Sequence, residues 1–153
     1  GKGLGKTEIE LDAIDYKINR IKKNGNELNK VEFDVSIRIK AYWTHKDSKY
    51  TALHEHGHVA DMKGHLIMSV IPILKKLEKM EFAEAQRNLM IKKIDDAIVD
   101  IGAGLIVAQM QSAMMVDFPL NIFWYGVFYA NDLIRTAVLK MPKTGTETYN
   151  IRF

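Results

Sequence analysis

Four of the chain's five histidines and a glutamate fall between Ala52 and Leu66, in the stretch A-L-H-E-H-G-H-V-A-D-M-K-G-H-L. Within it, His54-Glu55-His56-Gly57-His58 fits the pattern H-E-x-x-H. The chemistry of that pattern depends on a helix, because residues four apart then share one face. On such a face His54 and His58 can grip one Zn²⁺. Glu55 beside them can act as general base, taking a proton from the metal-bound water as it attacks a carbonyl. The metal would bring the pKa of that water down toward about 7. His56 points away from the His54 and His58 face and is expected to be exposed or at a cleft rim.

The surrounding elements must position these groups. From Val31 the apolar residues alternate through Phe33, Val35, Ile37, Ile39 and Ala41 to Trp43, with polar residues between, which predicts a strand with one buried face. Ile14, Tyr16, Ile18 and Ile21 suggest a partner strand, and Asn24-Gly25 between them suits a hairpin turn. The polar stretch "THKDSKY" follows, where Asp47 or Ser48 can cap a helix running from about Lys49 to about Met80, kinked at Pro72. A second long helix is predicted from Phe82 to about Val116, with Leu89, Ile91, Ile94, Ile98, Ile101, Leu105 and Ala108 near helical spacing. The two helices should form an antiparallel hairpin, with Gly102 and Gly104 permitting close approach. Asp117-Phe118-Pro119 ends the second helix, and "NIFWYGVFYANDLIRTAVLKM" can form a further C-terminal helix whose aromatics read as core. The expected fold class is α+β: an N-terminal β-hairpin or small sheet packed on the H-E-x-x-H helix and a long antiparallel second helix.

The segment "TALHEHGHVAD", with an apolar residue before the first histidine and a glycine before the second, resembles the zincin metallopeptidases. The order of strand, strand ending in Trp43, polar loop and H-E-x-x-H helix also resembles the zincin layout, in which an edge strand lines the substrate cleft. It is similar as well to an uncharacterised bacterial family of predicted peptidases that share this order and a long second helix. The likeness covers Tyr16 to Asp117 as architecture and Leu53 to Val59 as residues. It implies a zinc-dependent peptidase with His54 and His58 as ligands, Glu55 as general base and a third ligand from elsewhere. The metzincin continuation fails, since Asp61 and Gly64 stand where a glycine and a histidine are required. His65 shares a face with His58 but lies ~10 Å further along a straight helix. The gluzincin arrangement draws its third ligand from the second helix as E-x-x-x-D, and Asp96-Ala97-Ile98-Val99-Asp100 offers D-x-x-x-D. With the turn near Glu81, His58 is level with about residue 104, so Asp100 is the nearest carboxylate and the expected ligand. Asp96 becomes the ligand if the helices are staggered, leaving Asp100 to orient His54. Asp117 is a further candidate, and "IDDAIVD" also reads as a plain solvated helix face. An oxyanion donor could come from Tyr125, Tyr129 or His65, although both tyrosines also read as core. His65 and Asp61 form an i, i+4 pair that suits a helix-face contact, a proton relay or part of a second metal site.

Length and composition bound the alternatives. The 153 residues suit a single minimal domain, read as a flexible terminus over 1–6, a β region over 7–45, a helical region over 46–141 and a tail over 142–153. The 22 basic and 19 acidic residues are scattered without a run of five like charges, so nucleic acid is not implied as a partner. No cysteine is present, which leaves His, Asp and Glu as metal donors. The apolar region from Met114 to Ile134 is interrupted by Asp117, Pro119, Asn121, Asn131 and Asp132 and is read as core rather than a membrane span. "GKGLGKT" lacks the spacing and the preceding strand of a phosphate-binding loop. The start at Gly1 fits a processed form or a domain cut from a longer chain, with an extracytoplasmic or secreted setting expected. The expected partner is a peptide or protein substrate, and oligomeric state stays open. The alternatives to a peptidase are a zinc-stabilised, non-catalytic binding or regulatory domain, and a metallopeptidase toxin or effector domain cut from a larger secreted protein.

Overall fold

A computed structural model describes residues 5–44, 48–113 and 145–153. The fold is α+β, with helices on one face of an antiparallel sheet. Strands β1 (Gly5–Lys23) and β2 (Asn26–Trp43) form a long hairpin. They are joined by Asn24 and Gly25, both at positive φ (52° and 78°), as a two-residue hairpin turn demands. The alternation from Val31 to Trp43 is seen directly, all seven apolar side chains lying buried under the helices.

The first strand carries a parity change that its sequence alone makes hard to read. Thr7, Ile9 and Leu11 occupy odd positions, whereas Ile14, Tyr16 and Ile18 occupy even ones. All lie opposite core-facing residues of β2, because the register shifts between Leu11 and Ala13. Such a bulge inserts one extra residue and so restores the facing pattern. Asp12 sits there and pairs with Arg38 at 2.6 Å.

β2 is the centre of the sheet. β1 pairs with one side, and β3 (Phe82–Ala83) and β4 (Gly145–Arg152) pair with the other. The C-terminal stretch expected as a tail is therefore a strand, running from Ser36↔Arg152 to Trp43↔Gly145. Its odd residues are half-buried and its even residues exposed. The expected C-terminal helix over 121–141 lies outside the described residues.

The helical layer begins with α1 (Ser48–His65). It continues through a π-helical turn, Leu66–Val70, into α2 (Ile71–Glu78). Pro72 has no N–H to give the carbonyl one turn earlier. The stretch before it widens, and the Ile71 N–H reaches Leu66 O five residues back. After α2 the chain makes β3 and a short 3₁₀ turn, Glu84–Gln86, before α3 (Arg87–Ala113) returns antiparallel. Val59, Met62, Leu66, Val70, Met90, Ile94, Ile101 and Leu105 close the core over β2. No helix among the described residues is long and apolar enough to cross a membrane.

Of the two glycines expected to permit close packing, one does so. A Cβ on Gly104 would lie 2.9 Å from Val70 Cγ2, inside the π-helical turn, whereas a Cβ on Gly102 would meet nothing within 4 Å among the described residues. Gly104→Ala is expected to destabilise the fold by about 1–3 kcal/mol through overpacking. Gly102→Ala should instead be neutral or stabilising by up to about 1 kcal/mol, because alanine is the better helix former. Thermal melts of the two variants check this contrast, and equal melting temperatures would refute it.

Candidate metal centre

Successive helical residues point about 100° apart, and α1 uses this to send three neighbours in three directions. Glu55 meets β1, His56 meets β4, and the face of His54 and His58 meets α3.

The two histidines converge as their spacing requires. His54 Nε2 and His58 Nε2 are 3.1 Å apart, and the rings meet edge to face with centroids 4.7 Å apart. The far nitrogen of His58, Nδ1, is hydrogen-bonded to Ser112 Oγ at 2.8 Å. Ser112 is fully buried in the last turn of α3. Its hydroxyl fixes which way the imidazole faces.

Glu55 is only 5% exposed. A carboxylate withdrawn from water must be met by donors, and Thr7 of β1 donates its hydroxyl to Glu55 Oε2. Gly5 makes room for the other oxygen. A Cβ there would stand 2.7 Å from both Glu55 Oε1 and Thr51 Cγ2. Residues read from the sequence as a flexible terminus, Gly5 and Lys6, are thus part of β1, and Gly5 belongs to the wall around Glu55.

The remaining candidates stand elsewhere. Asp100, the expected third ligand, is exposed on α3 and lines a groove with Ile73 and Lys76 of α2. It precedes Ser112 by twelve residues, about 18 Å along the helix axis. The expected level failed because the connection uses Phe82–Gln86 for β3 and a 3₁₀ turn, so α3 starts later and its residues sit further back. Asp96 is further still and is paired with Lys92 at 2.9 Å. His65 ends α1, seven residues beyond His58, as the straight helix required. Between them lies Asp61, whose Oδ2 is buried without a hydrogen-bond partner among the described residues. Asp117, Tyr125 and Tyr129 lie outside the described residues. Among the described residues no three His, Asp or Glu side chains are grouped to hold a metal ion.

No known family model, curated protein or solved structure matches the chain. The geometry therefore stands on its own residues.

His56 does not sit free at a rim. The Tyr149 hydroxyl of β4 lies 2.8 Å from its Nδ1 and 2.9 Å from its Nε2, with the rings edge to face. Burial holds the His56 imidazole below its ordinary pKa. Burial, with help from Glu147, pushes the Tyr149 phenol up to about 12. A neutral imidazole accepting from a protonated phenol follows, and the contact clasps α1 to the C-terminal strand.

Thr7, Ser112 and Tyr149 escaped sequence reading because each acts through a partner remote in the chain. Hydroxyls carry no spacing signal by which such a partner could be found. The packing at Gly5 is directly testable. Gly5→Ala is expected to displace Glu55 and to lower stability by about 1–3 kcal/mol, as overpacking in a filled site does. Chemical denaturation checks it, and an unchanged midpoint would show that the wall around Glu55 is loose.

Proposed function

We propose that the chain is a zinc-dependent hydrolase of peptide bonds, with His54 and His58 holding the metal and Glu55 as general base. The observation that carries this reading is the 3.1 Å between the two Nε2 atoms. Two nitrogens bound to one tetrahedral zinc at 2.0–2.1 Å stand about 3.3 Å apart, so the donor pair fits the ion with almost no rearrangement. Hydrogen-bonding of His58 Nδ1 to Ser112 supports it further, because an N–H given to that hydroxyl leaves Nε2 as the lone-pair donor a metal needs.

When bound, zinc supplies a Lewis acid that makes water nucleophilic near neutral pH. The chain's own residues do the rest. Glu55 takes the proton of the attacking water and returns it to the leaving amine. The Thr7 hydroxyl keeps one carboxylate oxygen engaged and so restricts the rotation of the other. A catalytic zinc uses three protein ligands. Asp117, which follows Ser112 by five residues in the sequence, is the candidate carried forward. Asp100 is not carried forward as a ligand.

The burial of Glu55 favours one other reading, a zinc-stapled binding domain in which Glu55 braces β1 against α1 without turnover. Zinc content and hydrolysis of an unfolded protein, measured side by side, separate the two. The expected result is one zinc per chain, lost in His58→Ala and in Asp117→Ala but kept in Asp100→Ala. Affinity should be weakened 10–100-fold in Ser112→Ala. Turnover should vanish in Glu55→Gln with zinc retained. Zinc without turnover in the wild type would select the binding domain, and no zinc in a metal-replete preparation would end both readings.

A further inference from the structure

The strand Val31–Trp43 belongs to β2, the sheet's central strand, which has neighbours on both sides. Among the described residues β1, like β3 and β4, ladders with β2 alone, which leaves β1 an outer edge. That edge is answered by a side chain at Thr7 and Ile9, beside Glu55. The Ile9 N–H donates to Gln109 Oε1 at 2.9 Å, and Gln109 Nε2 donates to Thr7 O at 3.0 Å. One carboxamide of α3 thus satisfies a strand carbonyl and a strand N–H two residues apart. A neighbouring strand would satisfy these groups with its own peptide N–H and C=O.

We propose that Gln109 is a displaceable stand-in for substrate backbone: an extended peptide adds to the outer edge of β1 by taking over the Thr7 carbonyl and the Ile9 N–H from the Gln109 amide. Three observations bear on this choice. Thr7 is the shared residue, holding Glu55 through its hydroxyl and Gln109 through its carbonyl, so a peptide seated there passes beside the general base. Next to Gln109 runs an open groove of about 360 Å³ between β1 and α3, lined by Ile9, Leu11, Leu105, Ile106 and Met110. Ile106 and Met110 are largely exposed, so the groove has the apolar walls that an apolar side chain of an added strand would bury. Finally, the exchange is nearly balanced in hydrogen bonds, amide for amide, which makes the latch openable by a ligand that also fills the groove.

The inference deepens the peptidase reading and rests on it for the identity of the ligand. Its test is run in a Glu55→Gln background, so that binding is measured without turnover. The probe is a fluorescein-labelled, reduced and carboxymethylated α-lactalbumin chain, followed by anisotropy. Gln109→Met keeps the bulk of the side chain and removes its competing hydrogen bonds. It is expected to tighten binding roughly tenfold, the worth of one to two net hydrogen bonds. In the Gln109-containing protein, amide NMR should show the Gln109 side-chain NH₂ losing its protection as the probe saturates, while the Ile9 N–H stays protected. Weaker or unchanged binding in a folded Gln109→Met variant would overturn the proposal, as would a Gln109 NH₂ unmoved at saturation. Zinc-dependent turnover with Gln109 unmoved would remove this inference alone, whereas probe binding with Gln109 released and no zinc taken up would remove the hydrolase and leave the latch.

Discussion

A carboxylate cannot be withdrawn from water without donors to receive it, and Glu55 at the interface of α1 and β1 imposes that condition on everything around it. Thr7 must be in hydrogen-bond reach, so β1 must run alongside α1 at this height. Gly5 must lack a side chain, or the carboxylate and Thr51 would be displaced. With Glu55 fixed against β1, the helical twist sends His54 and His58 toward α3 and His56 toward β4. The direction of the paired imidazoles is thus set by the burial of the residue between them.

The second determinant is the level at which α3 passes α1. The π-helical turn before Pro72 and the close approach of Gly104 to Val70 fix how the two helices meet. The detour through β3 fixes where α3 begins. Together these bring Ser112 opposite His58. They also place Gln109 over the edge of β1, three residues earlier and nearly on the same helix face. One stretch of α3 therefore orients a candidate metal donor and covers the strand edge beside the candidate base.

Much of this was legible in the sequence. The period of two from Val31 to Trp43, the Asn24-Gly25 turn and the long apolar periodicities of the helices express local physics, and each appears as expected. The convergence of His54 and His58 likewise needs nothing beyond a helix and a spacing of four. The failures share one cause, dependence on contacts remote in the chain. Counting from a turn near Glu81 brings Asp100 close to the level of His58, whereas the two-residue β3 and the 3₁₀ turn that follows it set Asp100 out of range. The alternation of β4 over Gly145–Arg152 is carried by few apolar residues, so its sequence reads as a tail, and only pairing with β2 makes it a strand. Gly5 reads as terminal in the sequence because its role depends on a side chain fifty residues away.

The central claim is that His54 and His58 hold one metal ion between them. X-ray absorption at the zinc edge of the zinc-loaded protein tests it most directly. Two imidazole nitrogens at about 2.0–2.1 Å are expected, both lost when His54 and His58 are replaced together by alanine. A zinc shell containing no imidazole, or one whose imidazoles survive that double replacement, would contradict it.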